Sequence, residues 1–211
     1  MENQTADLNQ SDRKIEKSTL PWIVLGLIVI GIALFNLWLV FNKKPNPAQE
    51  VATTNVPEFS LINQQGHKLT LSDLKGKVWV ADFIFTNCPT ICPKMTQEMA
   101  NLQSEFSSQE INFVSFTVDP DRDTTDVLLQ YANRYGADEN RWHFLTGNKE
   151  QIYQLANNGF KLAAAYHEGM LPHSRKFVLV TPDGEIYGYY DSHQKSAMKR
   201  LRKDVNTLLG S

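Results

Sequence analysis

Strands alternate with helices along most of this chain, and its only two cysteines, Cys88 and Cys92, stand where the first long apolar strand gives way to a helix. Such alternation argues an α/β domain with a partly parallel sheet. Thiols at that junction point to the thioredoxin-like form of it. A third observation concerns residues 20–41, which contain no charged side chain. The predicted fold class is therefore α/β, thioredoxin-like, with an N-terminal transmembrane helix.

The composition is compatible with this reading. The chain has 211 residues and a net charge of -2, with no basic stripe of the kind that nucleic acid requires. Mean hydropathy is -0.36 in spite of the apolar run, so the remainder is polar enough for a soluble domain.

Residues 1–19 read as a cytoplasmic tail and 20–41 (LPWIVLGLIVIGIALFNLWLVF) as the anchor. At about 1.5 Å per residue, such a helix spans roughly the 30 Å of a bilayer's hydrocarbon core. Pro21 falls in the first turn, where a missing N–H costs little. Trp22 and Trp38 lie towards the two interfaces. The run exceeds a signal peptide's apolar core of about 7–15 residues. Neither a small-x-small cleavage site nor a lipid-accepting cysteine follows it. Arg13, Lys14 and Lys17 precede the helix, and Lys43 and Lys44 follow it, a bias that places the N-terminus inside. Glu2, Asp7, Asp12 and Glu16 make the tail unlike an acid-poor mitochondrial transit peptide. The expected location is the bacterial inner membrane, single-pass, with the domain facing the periplasm or extracytoplasmic space. Residues 42–55, with two prolines, read as a linker, and 56–211 as the domain.

Within the domain, Phe59–Ile62 and Lys68–Leu71 flank a turn at Gly66 and form a hairpin. SDLKGK is a loop with a helical turn. VWVADFIF, residues 78–85, is the nearly continuous apolar run of a strand buried on both faces. Met95, Met99, Leu102 and Phe106 mark one face of a helix over 91–106. INFVSFTV, residues 111–118, is the next strand. A helix over 124–135 has Asp123 and Asp126 about its first turn. A short strand over 144–146 and a helix over 150–158 ending near Gly159 follow. Lys176–Val180 and Glu185–Tyr190 make a hairpin around Pro182-Asp183-Gly184. A helix over 196–209 closes the chain.

The thiol segment reads FTNCPTICP. If it is helical, cysteines four apart share a face, within reach of a disulfide or of one metal ion. Unpaired N–H groups and the helix dipole at a helix start favour thiolate, which is both nucleophile and soft ligand. A buried pair of core cysteines is the competing reading. Zinc fits poorly, because its structural sites use four protein ligands. Two thiolates and an imidazole suit copper, as Cu(I) or Cu(II), better than hard cations. Of the five histidines, His67 and His193 read as surface, His143 as structural and His167 as an exposed loop residue. His173 opens a strand after Leu171-Pro172, beside the expected thiol helix. Position alone leaves it either a ligand or a polar loop residue. A peroxidase reading lacks the T-x-x-C pattern, since Thr86 stands two residues before Cys88. A copper sensor signalling through a partner is a further binding reading.

Four ordered segments, FTNCPTICPKM, FTVDPDRDTTDVLLQYANRYGAD, RWHFLTG and LPHSRKFVLVTPDGEIYGYY, together resemble the Sco/SenC family from about Val56 to the C-terminus. The resemblance implies a thioredoxin-like fold and a copper site made by Cys88, Cys92 and His173. It also implies assistance to assembly of the copper-A centre in a subunit of cytochrome c oxidase. The expected partners are that subunit or its other assembly factors. The role is that of a metallochaperone donating copper, or of a thiol-disulfide oxidoreductase reducing that site's cysteines through Cys88 and Cys92. Two departures stand out. Thr90 occupies a position that is often acidic in the family, and Thr125 replaces a proline. Asp119, Arg122 and Asp123 are expected to form a local ion-pair and capping network.

Overall fold

The structure is a computed structural model that describes residues 20–41, 54–162 and 174–210. The N-terminal tail, most of the expected linker, His167 and His173 lie outside the described residues. The chain divides into two units, Met1–Pro45 and Asn46–Ser211.

In the first unit, helix α1 spans Leu20–Phe41. Its described apolar side chains, from Ile23 to Phe35, are exposed. The Asn36 amide donates to the Ile32 carbonyl at 2.8 Å, so this polar group is satisfied by its own helix. Among the described residues no helix is long and apolar enough to cross a membrane.

The second unit is built on one sheet. Its strands are β1 (Ser60–Asn63), β2 (Lys68–Thr70), β3 (Val78–Ile84), β4 (Ile111–Thr117), β5 (Trp142–Thr146), β6 (Lys176–Val180) and β7 (Ile186–Asp191). The order across the sheet is β2-β1-β5-β4-β3-β6-β7. β3, β4 and β5 run parallel, and an antiparallel hairpin closes each side. The helices are α2 (Leu71–Leu74), α3 (Ile91–Glu105), α4 (Thr125–Arg134), α5 (Lys149–Gln154) running into a π-helical turn at Leu155–Gly159, and α6 (Lys195–Leu209). This is the predicted mixed sheet and element order.

β3 and β4 are buried at every position, which is why their sequences read as apolar runs instead of alternating. Phe83 stacks on Phe116 at 4.9 Å, and Phe160 meets Phe83 edge-on at 5.3 Å. This aromatic cluster packs the sheet face on which Trp79, Ala81 and Phe83 lie. The opposite face carries Asp82, Ser115 and Thr117, and there Tyr131 of α4 meets Phe144. The thiol segment leaves the C-terminal end of β3, the end of a parallel strand at which α/β sheets present their chemistry.

Candidate metal and thiol centre

Cys88 lies in the crossing from β3 to α3, in a turn closed by its N–H on the Phe85 carbonyl at 3.2 Å. Cys92 is the second residue of α3. The thiols are therefore not stacked along one helix, as a spacing of four allows. Cys88 stands ahead of the first turn, and its Sγ accepts the backbone N–H of Cys92 at 3.3 Å. That N–H is one of the donors a helix start leaves without an intrahelical partner. Thr90, the residue before α3, makes no side-chain cap. The Cys88 sulfur takes the place of a capping oxygen. Both cysteines are free, at 6% and 3% exposure. The competing reading of buried cysteines is thus correct about burial, but these thiols lie at a helix start, not in a purely apolar core.

The two thiols differ in proton affinity. Burial pushes Cys88 up, but the N–H groups of Cys92, Thr90 and Ile91, with the Cys92 thiol, outweigh it and leave Cys88 below the ordinary thiol range. Burial pushes Cys92 far above that range, helped by the negative neighbours Cys88 and Asp82 and only partly countered by the Phe85 backbone. Asp82 is fully buried on β3, and burial raises its carboxyl from 3.8 to about 7. Ser115, its register partner on β4, tempers that rise without closing a hydrogen bond of normal geometry, so both carboxyl oxygens are unsatisfied. The Thr96 hydroxyl donates to the Cys92 carbonyl at 2.8 Å. Having spent its proton there, it accepts from Tyr131 Oη at 2.8 Å. A polar layer thus underlies the buried thiol.

Asp119 and Arg122 form the expected ion pair, at 3.5 Å. Asp123 does not join it or cap α4. Thr124 is the cap, its hydroxyl accepting the Val127 N–H. Asp123 turns inward and binds Thr86, two residues before Cys88. Sequence reasoning noticed Asp123 but missed its partner. It also missed Asp82, whose one signal was a lone carboxylate inside an apolar strand.

His67 and His193 are exposed, as expected. His143 is half-buried on β5 and is held below its ordinary pKa by burial and by Lys77. Its Nδ1 has no hydrogen-bond partner. Among the described residues, no three His, Cys, Asp or Glu side chains are gathered closely enough to hold a metal ion. The third ligand expected from the sequence, His173, lies outside them.

Comparison with known proteins bears on the fold and the family. The SCO1 protein homolog of Bacillus subtilis (strain 168) is 38% identical over 157 residues, covering 72% of this chain and 81% of that protein. The structure of BsSco, a member of the Sco family of cytochrome c oxidase assembly proteins in which a disulfide switch was identified, shares 36% identity at a TM-score of 0.68, covering 75% of this chain and 95% of that one. Arabidopsis thaliana ScoI with copper bound shares 27% identity at a TM-score of 0.60, covering 72% and 98%. Residues 47–210, which include the whole sheet and both cysteines, match SCO1/SenC, and the chain belongs to that family.

Proposed function

We propose that this chain is a membrane-anchored copper metallochaperone that assists maturation of the copper-A centre of cytochrome c oxidase. Cys88, Cys92 and His173 would hold the copper. The observation that carries the reading is the thiol pair itself. Two sulfurs converge at a helix start whose N–H groups hold Cys88 below the ordinary thiol range, a soft donor set suited to copper, in a chain of the SCO1/SenC family. The copper-bound state of Arabidopsis thaliana ScoI supports the same cargo. β6 pairs antiparallel with β3, Val178 opposite Ala81. The chain that follows His173 therefore enters the sheet at the end from which β3 feeds Cys88. Residues 20–41 would anchor the protein in a bacterial inner membrane, with 56–211 on the outer side of a linker. The copper passes to the partner by exchange of ligands.

A second reading, thiol–disulfide exchange, is favoured by the split between the two proton affinities. The Cys88 thiolate attacks a partner disulfide, forming a mixed disulfide and releasing one partner thiol. Cys92 gives up its proton, attacks the Cys88 sulfur and releases the second partner thiol. The Cys88–Cys92 disulfide remains, and two electrons and two protons have moved to the partner.

Copper titration of the purified full-length chain tests the ligand set. Cys88→Ala should abolish tight binding of Cu(I) and Cu(II). His173→Ala should weaken Cu(II) binding by at least about tenfold. Unchanged binding in both variants would sink the assignment. Oxidase activity in a deletion strain separates the cargoes. Rescue by added copper supports delivery, and rescue only by a thiol reductant supports exchange.

A further inference from the structure

The loop between β4 and α4 ends on Asp123, which is 1% exposed. Its carboxylate accepts three hydrogen bonds. The Thr86 backbone N–H donates to it at 3.1 Å. The Thr86 hydroxyl and the Thr117 hydroxyl are the other two donors. Neither of the usual roles explains a buried carboxylate here. Arg122 is turned to Asp119 and is largely exposed, and among the described residues no salt bridge reaches Asp123. Thr124 caps α4 in its stead. A buried carboxylate is tolerated when strong donors satisfy it, and two of these three donors belong to one residue of the thiol loop.

We propose that Asp123 is a positioning residue for the thiol pair. It ties Thr86 to the end of β4 and so holds the turn that presents the Cys88 sulfur to the N-terminus of α3. The turn begins on Phe85, whose carbonyl accepts the Cys88 N–H, and Thr86 is the next residue. Val118 N–H donates to the Ile84 carbonyl at 2.8 Å just before the tie, so the ends of β3 and β4 are joined at consecutive levels. Beyond Thr86, the sulfur of Cys88 reaches the Cys92 N–H. Loosening the tie frees the loop that carries one thiol while the other stays fixed in α3. The effective concentration of one sulfur at the other then falls. The proposal rests on Cys88 and Cys92 being the working thiols, whichever cargo they handle.

The test is the disulfide equilibrium of the metal-free full-length chain in glutathione buffers. Two thiols and one glutathione disulfide exchange for the Cys88–Cys92 disulfide and two glutathiones. Thr86→Val keeps the shape and loses the hydroxyl. It should lower the equilibrium constant by about threefold to tenfold, the net worth of one ordinary hydrogen bond. Thr86→Ser retains the hydroxyl and should stay within about twofold of the parent. Asp123→Asn should lower the constant at least as far as Thr86→Val, and the double variant should fall no further than Asp123→Asn alone, as members of one network do. Tyr190→Phe, which removes the hydrogen bond to Asp204 elsewhere in the domain, controls for general loss of stability and should leave the constant unchanged. A Thr86→Val constant equal to that of the parent, or a fall of equal size in Tyr190→Phe, would overturn the positioning role. A parent chain that forms no Cys88–Cys92 disulfide would instead overturn the thiol reading on which the proposal rests.

Discussion

Cys88 and Cys92 are neighbours with opposite chemistry, because one sulfur receives the N–H groups of a helix start and the other is buried beside negative groups. Iodoacetamide at pH 7.5 should therefore modify Cys88 at least about ten times faster than Cys92. Peptide mapping of the folded chain reads this directly, and equal rates would remove the split. Asp82 makes a second prediction. Its carboxyl is raised from 3.8 to about 7, so between those values the folded state holds a proton that the unfolded chain has released. The contribution of Asp82 to stability is then full below about pH 4 and is lost as the pH rises through 7, by at most roughly 4 kcal/mol at 1.36 kcal/mol per unit. Asp82→Asn cannot ionise. It should be more stable than the parent at pH 8 and gain little or nothing at pH 4, as read by urea unfolding. A difference independent of pH would contradict the assignment. The sequence displayed Asp82 plainly as a lone charge in VWVADFIF. Its proximity to Cys92 was invisible there, because ten residues and a turn of chain separate them.

Helix α3 carries Cys92 at one end and relies on a distant arginine at the other. The Arg141 guanidinium donates to the carbonyls of Gln103, Phe106, Ser107 and Gln109, at 2.9 to 3.4 Å. Gln103 lies in the last turn of α3, whose carbonyls the helix end leaves open, and the other three belong to its cap and the loop that follows. Arg141→Ala should cost roughly 2–3 kcal/mol in urea unfolding with an unchanged m-value. Arg141→Lys should recover only part of it, because a point charge cannot fork between carbonyls. A cost below about 0.5 kcal/mol would show that water caps the helix as well. Most element boundaries were legible, since hydrophobic period and turn residues are local signals. The start of β5 was not. The strand begins at Trp142, two residues before the expected Phe144, because Trp142 pairs with Phe113 and its indole N–H reaches Ser115 Oγ at 3.0 Å. Both partners are supplied by β4. Asp123 was misplaced for the same reason. An acidic residue at a helix start looks like a dipole partner, and only the neighbouring strand end shows that it faces Thr86 instead.

For the whole molecule, the proposed anchor makes one further prediction. Deleting residues 1–41 should move the protein from the alkali-washed membrane fraction to the soluble fraction and leave the spectroscopic signature of Cu(II) binding in place. A full-length chain that alkali extracts would refute the anchor, since a spanning helix resists it. The sequence by itself determined the α/β class, the order of nearly every element and the thiol pair. Its four motifs also pointed to the family that comparison then established. Those properties follow from hydrophobic period, turn chemistry and residue identity, all of which are local along the chain. The tertiary structure alone decided that the parallel strands sit at the centre of the sheet with a hairpin on each side. It also decided that Cys88 acts as the cap of α3 instead of stacking on it, and that Asp82 and Asp123 converge on the thiol segment from β3 and from the end of β4. Burial and hydrogen bonding between residues tens of positions apart exist only once the strands have paired. They set which of two chemically identical side chains gives up its proton first.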